Sequence, residues 1–478
     1  MAKGKLKRWL HLGHRWLGVV LGLLVLLWFV SGLIMLFVAR PQLSEAERLA
    51  GLPVIEAGNV RVSPMAAWQA LGLSGEPSAI RLNAAGGQPA YRILANKQWH
   101  TVNAENGQIL PSIDQDSARR LAEGYAGKQV ITAISPVEID QWTVYRRFDA
   151  LRPFWRVEFA DGQDLYVASR SGELALDTTR SERVWNWLGS VVHWIYITPL
   201  RQNTALWRNI VLWSSFLALA LVLSGFWLGW QRLRLRARYS EGRVTPYREA
   251  WKRWHHLLGL AGTLVLFSWL LSGWLSLAPM ELASGPKRPE STSSLLSPAL
   301  DLRPAPGAST REFEWLAFGS ALLKLEKQTD GAMIHLEDQP PVTALTLENM
   351  EKAVREMRLG SVVRAAWLHE PDNRYYSLRH HPRAFPVARI ELDDPAATVL
   401  YISPRNGRIE VISNRDDFAY RWLYQGLHRL DFPTLVEHPL LRDITVILLS
   451  VLGLVLTLTG CVLGWRRMTK TPGGVISQ

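Results

Sequence analysis

Four long apolar runs interrupt an otherwise mixed chain. They cover residues 16–39, 209–230, 257–280 and 444–465, and none holds a Lys, Arg, Asp or Glu. Each has the roughly 20 apolar residues a helix needs to cross a bilayer. The first is too long for the signal-peptide core of about 7–15 residues and no A-x-A site follows it, so it predicts an uncleaved anchor. Between the runs lie two polar segments, 40–208 and 281–443, each long enough to bury a small core.

Shorter patterns organise those segments. Residues 62–71, with Pro64 near their start, predict a short amphipathic helix. Strand-like runs follow at 79–83, 90–94 and 99–102, and again at 154–159, 165–168 and 399–403. Three of these lead into a turn glycine and an aliphatic residue: Asn106-Gly107-Gln108-Ile109, Ser171-Gly172-Glu173-Leu174 and Asn406-Gly407-Arg408-Ile409. Asn and Gly tolerate positive φ, so each reads as a strand turning on itself, and the three form a weak internal repeat. Residues 311–328 and 347–357 have helix-like composition. Residues 284–310 are rich in Pro, Ser and Gly and predict a flexible linker.

The expected fold class is a membrane α-helical protein: a four-transmembrane-helix bundle built from two repeated helix pairs, with periplasmic α+β domains. In chain order, 1–39 hold a cytoplasmic N-terminus and the first span. Residues 40–205 form one outer domain and the approach to the second span at 206–230. A basic loop follows at 231–256, then the third span at 257–280. Residues 281–443 form a second outer domain, 444–465 the fourth span and 466–478 a tail.

Charge orients this arrangement. Residues 1–15, 231–253 and the tail carry sixteen Lys and Arg against only Glu241 and Glu249, a larger excess than the +12 of the whole chain. Lys and Arg accumulate on the cytoplasmic side of membrane helices, so both large segments are expected on the other side, and both termini inside. The high isoelectric point therefore implies no nucleic acid.

The chemistry lies in a second periodicity. His14 precedes Ser31-Gly32 as His255 precedes Ser272-Gly273, with the same 18-residue spacing to glycine. His193 precedes Ser224-Gly225, and His428 precedes Thr459-Gly460, with the same spacing of 32. An ionisable residue is costly in a membrane helix and marks function. Neutral imidazole is an axial ligand of haem iron, and facing helices of a bundle supply such ligands into its core. If the two halves pack about a pseudo-two-fold axis, His14 meets His255 near the cytoplasmic face and His193 meets His428 near the outer face. Two stacked b-type haems are then the expected cofactors. Neighbouring His11 and His256 remain alternatives to His14 and His255. Gly18, Gly22, Gly259 and Gly262 fit close helix packing or a flat macrocycle.

The remaining signals are weaker. Trp28 and Trp269 match in the repeat. Arg208 and Asp443 also match and are candidates for an ion pair, against the plainer reading of helix-end charges. Arg379-His380-His381-Pro382-Arg383 reads as a solvated turn or an anion site. His100, His335, His369 and His438 show no ligand spacing. The lone Cys461 excludes an internal disulfide and a cysteine-held cluster, and no C-x-x-C-H allows covalent haem. No G-x-G-x-x-G fingerprint follows a strand, so electrons would come from another protein, a quinol or a diffusible flavin.

The stretch His14-Arg15-Trp16-Leu17-Gly18, its echo His255-His256-Leu257-Leu258-Gly259, and the Ser/Thr-Gly-x-x-Leu-Gly-Trp endings at 224–230 and 459–465 resemble the PepSY-associated transmembrane family. The strand–turn units resemble PepSY modules. The resemblance implies an inner-membrane, iron-regulated siderophore reductase with two b-type haems. It would reduce a ferric siderophore or other periplasmic ferric chelate, with a cytoplasmic or quinol donor and the lipid bilayer as further partners. Its catalytic residues are not indicated. The rival readings are a PepSY protein that binds or inhibits a protease or senses a ligand without haem, and a haem protein that serves another periplasmic enzyme or oxidises quinol.

Overall fold

The longer helices are, in chain order, α1 (Ala2–Phe37), α2 (Gln115–Ala126), α3 (Thr204–Trp230), α4 (Ala250–Leu275), α5 (Leu347–Glu356) and α6 (Pro439–Met468). The computed structural model describes residues 2–127, 129–279, 293–337, 339–418 and 420–469. The chain divides into two compact units. One draws on Met1–Ala39, Trp185–Gly285 and Asp416–Gln478, the other on Arg40–Val184 and Pro286–Arg415.

The first unit is the bundle. α1, α3, α4 and α6 are long and apolar enough to cross a membrane, and the protein is a membrane protein. Each helix begins before its apolar stretch because the preceding flank also favours helix, while α1 and α4 stop short of its end, at Phe37 and Leu275. Residues 2–15 supply Lys, Arg and Leu with no proline before Pro41, so α1 begins at Ala2. α1 packs on α3 and α6, and α4 packs on the same two. Leu21, Val25, Phe29, Ala218, Leu266 and Leu456 fill the middle. The outward faces are apolar too: Trp213 is 60% exposed, Leu448 64% and Leu264 77%. Such a surface suits lipid.

The repeat extends into the approaches to α3 and α6. Each approach has a π-helical turn (Trp187–Val191, Tyr420–Gly426) and then a three-residue helix (Val192–Trp194, Leu427–Arg429). Each then turns through a left-handed residue, Ile195 (φ 53°) or Leu430 (φ 54°). A short helix with proline in its first turn leads into the long one. Ile195 and Leu430 are 235 residues apart, as are His193 and His428. A branched side chain at positive φ costs about 1–2 kcal/mol, so its recurrence two residues after each histidine marks a constrained place.

The strands are β1 (Ala79–Asn83), β2 (Ala90–Ala95), β3 (Gln98–Asn103), β4 (Ile109–Leu110), β5 (Ile131–Val137), β6 (Phe154–Phe159), β7 (Asp164–Ala168), β8 (Leu174–Thr178), β9 (Glu312–Phe318), β10 (Ala321–Lys327), β11 (Ala332–His335), β12 (Ser361–Leu368), β13 (Val387–Asp393), β14 (Val399–Ile402) and β15 (Ile409–Ser413). All lie in the second unit. Two matching modules recur there: α2 with sheet β5-β6-β7-β8, and α5 with sheet β12-β13-β14-β15. In each, a buried tyrosine donates to the aspartate that caps a turn. Tyr166 reaches Asp140 at 2.6 Å and Tyr401 reaches Asp372 at 2.7 Å. The three turn glycines, Gly107, Gly172 and Gly407, all have φ between 64° and 76°. Each donates its N–H to the carbonyl four residues back.

Three expectations change. The two polar segments do not make two outer domains, because β1 pairs antiparallel with β9 and a single seven-stranded sheet runs β11-β10-β9-β1-β2-β3-β4. Residues 311–328 are the hairpin β9–β10 rather than helix. Their Leu, Glu, Lys and Ala content favours helix, but Phe313 and Trp315 alternate with Glu312 and Glu314, and Gly319 turns at φ 65°. The linker is anchored over its described part. Pro298–Asp301 forms a 3₁₀ turn, and Leu295 and Leu300 enter the core beside Phe313 and Trp315. Residues 284–292 of that prediction, Met280 and the tail beyond Thr469 lie outside the described residues.

Candidate cofactor site: two imidazole pairs

His14 enters the bundle from α1 and His255 from α4, and their ring centroids lie 6.3 Å apart with planes at 46°. His193 and His428, each on the three-residue helix before a long one, have centroids 6.1 Å apart at 68°. An imidazole nitrogen binds a transition metal at about 2 Å, so two imidazoles on opposite sides of one metal have centroids roughly 6 Å apart. His193 lies against Gly32, 18 residues along α1 from His14. At 1.5 Å per residue this separates the two pairs by about 27 Å along the helix, close to the thickness of a bilayer core.

Each ring is held from behind by a Ser/Thr-Gly dipeptide on another helix. His14 Nδ1 is 3.1 Å from the Leu221 carbonyl and 3.3 Å from Ser224 Oγ. His428 Nδ1 is 3.1 Å from both the Trp269 carbonyl and Ser272 Oγ. His193 Nδ1 meets Ser31 Oγ at 3.1 Å, and His255 Nδ1 meets Thr459 Oγ1 at 3.0 Å. The carbonyls can only accept. The Ser31 and Thr459 hydroxyls spend their hydrogens on Leu27 and Leu456 carbonyls, both at 2.6 Å. The network therefore assigns the proton to Nδ1 on all four rings and leaves the Nε2 lone pair for a ligand. No hydrogen bond engages these Nε2 atoms among the described residues.

The glycines complete the cradle. A Cβ on Gly225 would lie 2.7 Å from His14 Cε1. On Gly460 it would lie 3.2 Å from His255 Cε1, on Gly273 3.3 Å from His428 Cε1, and on Gly32 3.5 Å from His193 Cε1. The recurring Ser/Thr-Gly pairs thus seat imidazoles, which sequence alone did not reveal because each dipeptide serves a histidine on a different helix. Gly18, Gly259 and Gly262 instead meet leucines of neighbouring helices, and Gly22 meets Cys461.

The alternatives separate here. His256 uses both nitrogens, Nδ1 with Thr245 Oγ1 and Nε2 with the Gly229 carbonyl, each at 2.8 Å. His11 Nε2 accepts from Arg232 at 3.2 Å. Arg208 donates to the Leu277 and Ala278 carbonyls at 3.0 Å, closing the end of α4, and makes no pair with Asp443. Arg383 of the basic cluster lies 3.3 Å from Glu410, and His335 pairs with Glu326. Trp269 packs against Phe29, ring centroids 5.7 Å apart and planes tilted by 53°. Two buried donors, Trp274 Nε1 and Arg201 Nε, have no hydrogen-bond partner among the described residues. Trp274 directly follows the glycine that touches His428.

One acidic cluster escaped the sequence reading. Glu45, Glu312 and Glu314 converge in the second unit, but the Lys327 ammonium already sits among them, 3.2 Å from Glu312 and 2.7 Å from Glu314. Arg48 grips Glu312 with two nitrogens at 2.6 and 2.7 Å. Burial pushes the Glu312 carboxyl upward in pKa, yet Arg48 and Lys327 outweigh it and hold the group far below the usual carboxylate range. This is a buried ion network.

A family model, that of the PepSY-associated TM region, matches residues 10–346. The chain belongs to this family. The matched stretch contains His14, His193 and His255, and the 235-residue repeat brings in His428 beyond it. No curated protein matches the chain.

Proposed function

We propose that the protein is a di-haem b-type cytochrome of a bacterial inner membrane. It carries electrons outward to a periplasmic ferric chelate, most simply a ferric siderophore, and so releases iron. The observation that carries this reading is the pair of imidazole couples, 6.3 and 6.1 Å apart, with all four Nδ1 protons committed to the protein.

His14 and His255 would hold one haem and His193 and His428 the other. A haem held in this way would supply one-electron transfer. The chain's own part is orientation and exclusion. The Ser/Thr hydroxyls and carbonyls fix each ring's tautomer, the glycines let the rings lie close to the helix backbones, and the apolar bundle keeps water out. The orphan donor Trp274 Nε1, one residue past the glycine that touches His428, suits a haem carboxylate. The basic ends at 1–15 and 231–253 support a cytoplasmic entry at His14/His255 and an outer exit at His193/His428. Siderophores bind ferric iron far more tightly than ferrous iron, so one-electron reduction frees the metal.

The test is a dithionite-reduced minus oxidised spectrum of the detergent-purified protein with a haem-per-chain assay, followed by mixing the reduced protein with a ferric chelate and a ferrous indicator. Two non-covalent haems per chain and rapid reoxidation with ferrous release are expected. Haem-free protein from haem-replete cells would overturn the reading in favour of a PepSY binding role. Two haems without reoxidation would redirect it to another acceptor.

A further inference from the structure

Beside the His14/His255 pair lies a cavity of about 540 Å³, lined by Ala250, Trp251, Trp254 and Leu258 of α4 and by Val455 and Thr459 of α6. From these walls we infer a binding site for the head group of a membrane quinol, the electron donor. The inference rests on the electron-transfer reading above.

Three observations select this ligand. The walls are two indoles and aliphatic side chains, which suit a flat, uncharged, unsaturated ring. The single polar wall is Thr459, whose hydroxyl meets His255 Nδ1 at 3.0 Å, so a ring in the cavity is one side chain from the imidazole pair. The cavity also opens towards lipid: Trp254 is 52% exposed and Val455 42%, leaving a route for an isoprenoid tail. A flavin nucleotide would need cations for its phosphates, and the walls hold no charged side chain. Arg466 lies 5.8 Å from the Trp251 ring and is paired with Glu249 at 2.9 Å.

The slot is one-sided. The positions of α1 that match Trp251 and Trp254 in the repeat are Leu10 and Gly13. Packing of a duplicated bundle would treat both halves alike, so the two indoles answer to something outside the repeat. Oxidation of the quinol to quinone releases two electrons and two protons. Two ferric chelates take one electron each and become ferrous, and the protons pass to water.

The experiment is equilibrium binding of 2-methyl-1,4-naphthoquinone to the full-length protein in nanodiscs by calorimetry, with haem content measured on the same samples. Saturable binding is expected. It should weaken at least tenfold in Trp254→Ala and in the cavity-filling Ala250→Phe, and stay unchanged in Trp9→Ala, with haem spectra alike in all four proteins. Unsaturable uptake that follows the lipid, or equal affinity in all variants, would overturn the site while leaving the haem reading intact. Trp254-dependent binding to a protein without haem would uphold the site and overturn the electron-transfer reading instead.

Discussion

Gly225 lies so close to His14 that a methyl group added to it would fall 2.7 Å from the imidazole Cε1. That imidazole can yield only by leaving the Leu221 carbonyl and Ser224. Gly225→Ala should therefore empty the His14/His255 site and lower haem from two to one per chain. Gly22→Ala, whose Cβ meets Cys461 Sγ at an ordinary 3.5 Å, should retain both. Pyridine haemochrome assays on the two variants check this.

Thr459→Val keeps the shape of the side chain and removes the hydroxyl that holds His255. Partners of this kind are worth about 10–100-fold in metal affinity. The variant should lose haem from the first pair faster on dilution and leave the second pair unchanged, while Ser31→Ala, acting on His193, should do the reverse. Haem transfer to an apo-globin scavenger, followed at both absorption bands, reads the difference.

His255 and His256 are neighbours with different tasks. His255→Ala should remove one haem. His256→Leu should keep both, because its ring ties Thr245 to the Gly229 carbonyl. It gives up both of those hydrogen bonds, at about 0.5–1.5 kcal/mol each, so its cost should appear in the thermal midpoint and in proteolysis of the 231–249 loop.

Glu312 makes the second unit acid-sensitive. Its folded pKa is depressed, so its contribution to stability is present above its unfolded value of 4.5 and is lost as pH falls below that value. Unfolding monitored from about pH 6 to about pH 3 should show this decline. Glu312→Gln should flatten it and lower stability at neutral pH by about 3 kcal/mol, since Arg48 loses its two-nitrogen grip and Lys327 one of its carboxylates.

The four spans and the matched histidines were legible because apolar runs and fixed spacings survive in one dimension. Strands 79–83 and the helix at 347–356 were likewise readable from local alternation and periodicity. What stayed hidden depends on distant partners. Ser31 serves His193, and Thr459 serves His255, 204 residues away. That His256 spends both nitrogens on Thr245 and Gly229 shows only once the Thr245 loop is folded against it. Residues 311–328 carried helix-forming side chains, yet the β1 edge captured them as strand, a tertiary contact overriding local preference. Nor does local sequence show that Glu45, Glu312 and Glu314 converge on Lys327.

The ladder between β1 and β9 has a consequence for how the molecule is made. Ile80 faces Trp315 across it. A ribosome finishes β1 more than two hundred residues before it delivers β9, and meanwhile the open edge of β1 invites pairing with any stray strand. The two segments are not separable: cut between them, each would expose the edge that the other now closes.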